Sequence, residues 1–229
     1  MPRVSVIVPF LNEERTLAEV IRRVRATGAV HEIVAVDDGS TDGSVAVLEG
    51  LATSGEPPVT VVRHDVNRGK GAAVRTGLAR ITGDVVVVQD ADLELDPAEF
   101  AKLFAPILED RADVAFGIRF AQGRGETPWL AYFGNKAFTV MASVLFLRRL
   151  NDVLTGYRAM RATVAREVEP RSNGFGVDAE QGCRAIREGW RVVQVPVTYT
   201  PRSKGQGKKL RASASFDVFR AILRVRFGG

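Results

Sequence analysis

Short runs of β-branched residues alternate with segments whose apolar positions recur every three or four residues. That is the pattern of parallel strands joined by crossover helices. Val4 to Val8 predicts a first strand, and Leu17, Val20, Ile21 and Val24 then mark a helix that Gly28 can stop. Ile33 to Val36 predicts a second strand. Ser40 and Thr41 can cap the next helix, whose Val45, Leu48 and Leu51 form an apolar stripe ahead of the Gly55-Glu56-Pro57-Pro58 break. Val59 to Val62, a helix from about Lys70 to Arg80, and the wholly apolar Val85 to Val88 follow. The last of these suits a central strand covered on both faces. A helix after Pro97 and a strand near Val114 to Phe116 bring the count to five strand and helix units in residues 1–118.

The second half is less regular. The pattern predicts a helix from Tyr132 to Leu150, a strand-like segment around Thr155 to Met160, a helix near Ala179 to Glu188 and a strand from Val192 to Val195. Ala137 to Leu147, between Lys136 and Arg148-Arg149, falls short of the roughly 18 apolar residues a membrane span needs, and reads as a buried helix in preference to an interfacial one. From Ser215 to Phe227, apolar residues interleave with Arg220, Arg224 and Arg226. Such an amphipathic helix could dock on the domain or lie at an anionic membrane. The chain thus reads as one α/β domain over residues 1–201, with halves meeting near 118, and a basic segment from 202 to 229.

Composition narrows the class. A chain of 229 residues that is 45% apolar and 26% charged can bury a core, which excludes disorder, collagen and coiled coil. The net charge of +5 is unevenly spread: residues 202–229 set eight Lys and Arg against Asp217 alone, for +7, and leave −2 to the rest. The single Cys183 cannot form an internal disulfide and reads as a packed thiol. Met1-Pro2-Arg3-Val4 runs into a strand instead of a signal peptide, so the expected location is cytoplasmic.

Two nucleotide folds fail on spacing. No G-x-G-x-x-G follows the first strand, where Pro9-Phe10-Leu11-Asn12-Glu13-Glu14 stands instead. Gly69-Lys70-Gly71 lacks both the earlier glycine and the following Ser or Thr of a Walker loop. Asp90-Ala91-Asp92, just past the apolar fourth strand, is more informative. Ligands of open α/β sheets bind at such carboxyl ends, and extended carboxylates at i and i+2 can meet one hard cation. With no Cys/His cluster nearby, oxygen ligation points to Mg²⁺ or Mn²⁺. Glu94 could add a ligand, or serve with Asp96 as helix-entry charge before Pro97.

Four motifs occur in order: Val4-Ser5-Val6-Ile7-Val8-Pro9-Phe10-Leu11-Asn12-Glu13, Val36-Asp37-Asp38-Gly39-Ser40-Thr41-Asp42, Asn67-Arg68-Gly69-Lys70-Gly71 and Asp90-Ala91-Asp92. Together they resemble the family 2 inverting nucleotide-sugar glycosyltransferases. The resemblance implies a GT-A-like, Rossmann-related open sheet of mainly parallel strands flanked by helices. Gly117-Ile118-Arg119-Phe120, Asp152 to Arg158, and Val195-Pro196-Val197-Thr198-Tyr199 with Arg202 and Gly207-Lys208-Lys209 resemble dolichyl-phosphate mannose synthases and bacterial polyprenyl-phosphate sugar synthases. Between Pro128 and Lys136 the chain departs from many of these, with Lys136 the only cation.

By that resemblance, residues 1–118 hold the donor and 119–201 the acceptor. Pro9, Asn12 and Glu13 would border the nucleotide, and Asp37 and Asp38 would meet base or ribose, although the same acids make a good turn. Lys70 would face a phosphate at a helix start, or the Gly69 and Gly71 turn is a plain connection. Asp90 and Asp92 would bind the metal that bridges the donor diphosphate. Arg119 matches an acceptor-phosphate arginine, with Arg202 and Lys204 closing over the same anionic groups.

The implied activity is transfer of a hexose, from GDP-mannose or UDP-glucose in the leading cases, to a polyprenyl phosphate. The enzyme would be cytoplasmic and work as a peripheral protein at the cytoplasmic membrane face. A hydroxyl acceptor would need a base, for which Asp178 or Glu180 comes first and Asp152 next. A nucleic-acid partner is not expected, because no base-stacking surface accompanies the basic tail.

Overall fold

The computed structural model describes residues 2–53, 55–202 and 212–228. β1 (Val4–Phe10), α1 (Leu17–Ala26), β2 (Glu32–Asp37), α2 (Ser44–Ala52), β3 (Val59–Arg63), α3 (Lys70–Leu78) and β4 (Val85–Val88) alternate as expected. A short 3-10 turn at Pro97–Glu99 leads into α4 (Phe100–Leu108) and β5 (Val114–Ile118). Then come α5 (Trp129–Leu145), β6 (Arg158–Arg161), α6 (Ala162–Glu167), α7 (Val177–Arg187), β7 (Val192–Pro196) and α8 (Ala212–Phe227).

The seven strands form one open sheet in the order β3-β2-β1-β4-β6-β5-β7. All neighbouring pairs are parallel except those of β6, which runs antiparallel to β4 and β5. The inward alternation of β4 explains its uniform apolar sequence. Val85 and Val87 pack with α1 and α4 side chains on one face, while Val86 and Val88 meet Ala73, Val74 and Leu78 of α3 on the other. A third cluster joins Ala142 of α5, Ala179 and Cys183 of α7, and Val218, Ile222 and Val225 of α8. Cys183 is therefore a packed thiol, its pKa pushed up to about 12 by burial.

Three expectations change. Ser40 and Thr41 do not cap α2: the Ser40 hydroxyl accepts the Asn12 amide, the Thr41 amide goes to Asn12 Oδ1, and Asp42 takes the Ser44 amide instead. The strand-like segment near Thr155 begins only at Arg158, and because β6 is reversed, Arg158 lies level with Val88 and Phe116 near the carboxyl ends of their strands. The apolar run Ala137–Leu147 is only half buried: Ala142 joins the third cluster with Phe138, Met141, Leu145 and Phe146 packed against it, while the opposite face is open. α5 covers the domain with Asn135, Thr139 and Ala142, and leaves Leu130 88% and Leu147 just beyond its end 90% exposed, with Phe133, Val140 and Val144 also outward. The basic C-terminal helix does dock, with Val218, Ile222 and Val225 inward and Arg220, Arg224 and Arg226 in solvent.

Candidate active site

Parallel strands β1, β2 and β4 end on one edge of the sheet, so the loops after them converge there. They line a cleft of about 350 Å³ together with Arg119, Asp178, Tyr199 and Arg202 from the second half. Pro9, Glu13, Asp38, Lys70, Asp90, Asp92 and Glu94 all border it.

Several of the residues expected to contact the donor have structural tasks. Asn12 sits at φ 53, in the left-handed region, where its side chain clasps Thr41 and so ties the β1 loop to the β2 loop. Asp37 is fully buried away from the cleft, accepting the Ser40 amide and pairing with Arg63 at 3.3 Å. Asp38 accepts the amides of Arg68 and Gly69 at 2.9 and 2.7 Å, and His64 Nδ1 lies 2.8 Å from its Oδ1. Thr76 meets the other ring nitrogen of His64 at 2.9 Å. Nothing in the sequence marks His64, because a buried imidazole bridging two motifs leaves no spacing signature.

The glycines around Lys70 answer to packing. At Gly71 a Cβ would collide with the Ser172 carbonyl, and at Gly69, where φ is 96°, with that of Asn173. The Gly71 amide donates to Asn173 O at 2.6 Å, so this helix start is closed by backbone. Glu180 holds that backbone from behind. It is 1% exposed and accepts the Arg171 and Ser172 amides at 2.7 Å each, outside the cleft.

Lys70 itself lies 2.7 Å from Asp90 Oδ1 and 3.1 Å from Asp178 Oδ2. Burial would lower its pKa, and the two carboxylates more than reverse that. Asp178 also stands 2.8 Å from the Arg158 Nη1, a close charge pair whose angle misses that of a hydrogen bond. Burial favours the neutral acid at Asp178, yet Lys70 and Arg158 hold its pKa below the usual carboxylate range. Arg158 is a second unforeseen component. A lone Arg beside Tyr157 and Ala159 in an apolar strand is the available signal, since a charge there demands a partner.

The acidic loop behaves differently. Burial first, then the charges of Asp90 and Glu94, push Asp92 up to about 7. That is surplus negative charge, the condition a hard cation relieves, so Asp90 and Asp92 fit a divalent metal. Glu94 does not join them as a ready third ligand. Its carboxylate accepts the Tyr199 hydroxyl at 3.1 Å and the Arg202 amide at 3.0 Å, and among the described residues no three metal-ligating side chains form a cage.

Arg202 reaches across to the loops after β1 and β4. Its guanidinium pairs with Glu13 at 2.6 Å and donates to the Asp92 carbonyl at 3.0 Å. Lys204, Lys208 and Lys209 lie outside the described residues. Arg119, past the end of β5, is gripped by Asp152 through Nε at 2.8 Å and Nη2 at 2.9 Å. Asp152 therefore faces Arg119 and does not border the cleft.

The match to known proteins follows this geometry. Residues 5–168, which carry the first four motifs and β1 to β6, match the model of glycosyl transferase family 2. The chain is 32% identical over 229 residues to a dolichol-phosphate mannosyltransferase of Pyrococcus furiosus, covering 97% of this chain and 63% of that protein. It is 32% identical over 214 residues to a polyprenol monophosphomannose synthase of Mycolicibacterium smegmatis, covering 90% of this chain and 80% of the relative. A crystal structure of glucosyl-3-phosphoglycerate synthase from Mycobacterium tuberculosis, with Mn²⁺, UDP and phosphoglyceric acid, superposes with a TM-score of 0.79 at 22% identity. It covers 99% of this chain and 79% of its own, and establishes the shared GT-A architecture. With four ordered motifs gathered on one sheet edge and most of the chain matched, this protein belongs to glycosyl transferase family 2.

Proposed function

We propose that the chain is a metal-dependent inverting glycosyltransferase that moves a hexose, mannose or glucose, from a nucleotide diphosphate sugar to a polyprenyl phosphate. One observation carries the choice of acceptor: each candidate base is already engaged. Asp178 lies between Lys70 and Arg158, Asp152 holds Arg119, and Glu180 holds backbone amides. A hydroxyl acceptor needs a carboxylate to take its proton, whereas a lipid phosphate arrives ionised. The relatives named for dolichol-phosphate and polyprenol phosphate products support the same reading.

Asp90 and Asp92 would hold the cation. When bound, the metal stabilises the charge that develops on the departing nucleoside diphosphate. The chain's own residues do the rest. Pro9, Glu13 and Asp38 border the donor, and Arg202 crosses over Glu13 and the Asp92 carbonyl to close that side. Arg119 orients the acceptor phosphate. A phosphate oxygen then bonds to the anomeric carbon as the bond to the donor phosphate breaks on the opposite face, and no proton needs to be removed.

The test is a panel of nucleotide sugars offered with short polyprenyl phosphates and with free sugars, each with and without a chelator. Transfer to the lipid phosphate, lost on chelation, is the expected result. Transfer confined to hydroxyl acceptors would overturn the assignment.

A lipid acceptor requires contact with a membrane, and no helix among the described residues is long and apolar enough to cross one. The outward face of α5, with Trp129 stacked on Phe133 and Leu130 beside them, suits insertion at an interface, and the exposed arginines of α8 suit anionic headgroups. Burying one such side chain contributes roughly 1.5–3 kcal/mol. The double variant Leu130→Asp with Phe133→Asp should therefore bind vesicles of anionic lipid at least ~10-fold more weakly in co-sedimentation. Transfer to a water-soluble short-chain acceptor should persist.

A further inference from the structure

Asp152 is an acid near the cleft whose surroundings give it a task other than proton transfer. Its side chain is 0% exposed and lies behind Arg119, outside the substrate cleft. Oδ2 accepts the Arg119 Nε at 2.8 Å and the Arg119 backbone amide at 3.2 Å. Oδ1 accepts the Arg119 Nη2 at 2.9 Å and the Asn135 side-chain amide at 2.8 Å. Four donors saturate the carboxylate.

A guanidinium has five N–H groups in a rigid plane. Asp152 takes the side formed by Nε and Nη2, which leaves the opposite edge, both Nη1 hydrogens and the second of Nη2. Among the described residues that edge meets no protein acceptor, and Arg119 lines the cleft. The rings of Phe120 and Tyr199, each centred 5.3 Å from the guanidinium carbon, restrict it further. A free planar edge with two nitrogens matches two oxygens of one phosphate. Asn135 makes the arrangement firmer. It is buried on α5 at the wall of the cleft, and its own carbonyl oxygen accepts the Thr139 hydroxyl, so the amide can face Asp152 only with its NH₂.

We propose that Asp152, braced by Asn135, is a positioning residue that aims the free edge of Arg119 at the acceptor phosphate. The inference rests on the lipid-phosphate reading of the acceptor. It assigns no chemistry to Asp152 itself: the residue touches no substrate and moves no proton. What it supplies is orientation, paid in advance of binding, so its loss falls on acceptor affinity.

Steady-state transfer from the nucleotide sugar to a short polyprenyl phosphate tests this in the 229-residue chain. Asp152→Asn keeps the shape but loses the charge-assisted grip, and should raise the acceptor KM ~10- to 100-fold while donor KM and kcat change less than ~3-fold. Asn135→Ala should shift the acceptor KM in the same direction by less. In an Arg119→Lys background, Asp152→Asn should add under ~3-fold, since no fork remains to be aimed. The Arg119 Nε–H proton, read by NMR without any substrate, should exchange slowly in the wild type and rapidly in Asp152→Asn.

An unchanged acceptor KM in Asp152→Asn, with wild-type transfer established, would overturn the positioning role and leave the acceptor assignment standing. So would a fall in kcat above ~100-fold with both KM values fixed, the mark of a base. Wild-type protein that transfers to no lipid phosphate sinks both readings together. Should Asp152→Asn fail to fold, Asn135→Ala carries the same KM-against-kcat test.

Discussion

Asp92→Asn should abolish metal-dependent donor binding while leaving the fold intact, and transfer should fall by roughly 10³-fold. The side chain is held by geometry that Asn can copy, because Asp92 Oδ1 accepts the Glu94 amide at 3.1 Å and an amide oxygen can do the same. What Asn cannot copy is the charge. Asp90 is already compensated by Lys70 at 2.7 Å, so much of the pull on a cation comes from Asp92. Removing one ligand of a hard-cation site should lower metal affinity by at least ~100-fold, since even outer-shell changes cost ~10- to 100-fold. Calorimetric titration of Mn²⁺, with and without the nucleotide sugar, measures this directly. Wild-type metal affinity in the variant would remove Asp92 from the mechanism.

The same residue sets a pH dependence of known sign. Burial and the charges of Asp90 and Glu94 raise its pKa from 3.8 to about 7, so below neutrality the metal must displace a proton. Metal affinity should fall ~10-fold per unit as pH drops below about 7, and Asp92→Asn should lose that slope. Without metal, the folded state holds this proton more tightly than the unfolded chain. The stability it contributes is therefore complete below 3.8 and is lost as pH rises to about 7. Metal-free Asp92→Asn should show a flatter stability profile across that window.

How far the sequence discloses the site depends on the kind of information each residue carries. Val85 to Val88 and Asp90-Ala91-Asp92 are legible because strand period, burial and the carboxyl-end rule are local. The amphipathic α8 is legible for the same reason: its apolar stripe and its arginines separate on one helix. By contrast, Asp152, Asp178 and Glu180 are three acids of similar local setting whose tasks differ. They diverge only because Arg119, Lys70 with Arg158, and the 171–172 amides reach them from other parts of the chain. Likewise, Ala137–Leu147 is apolar enough to be buried all round, and the exposure of its Val140, Val144 and Leu147 follows from what does not cover that face. The reversed β6 matters most, since a short strand states no direction, yet direction brings Arg158 to the site's edge.

That reversed strand underlies the second large effect: Asp178→Ala should cost about 3–5 kcal/mol of stability. Lys70 would retain Asp90, but Arg158 would retain nothing. Its side chain is 1% exposed, and Asp178 is its one ion-pair partner among the described residues. An uncompensated guanidinium that deep is the expensive case, whereas replacing both partners by apolar groups of similar size is often nearly neutral. Arg158→Met introduced into Asp178→Ala should therefore recover a large part of the loss in urea unfolding, a sign of coupling that separate contributions would not produce. The linkage agrees in direction. The folded-state pKa of Asp178 lies below its ordinary 3.8, so its contribution is present above that value and is lost as pH falls through the folded pKa. Activity separates the bridge from a base. Asp178→Asn, assayed well below its melting temperature, should keep lipid-phosphate transfer within ~10-fold of wild type, whereas loss of a proton acceptor would cost ~10²- to 10⁴-fold. A drop of that larger size, with stability intact, would make Asp178 the base and return a hydroxyl to the acceptor position.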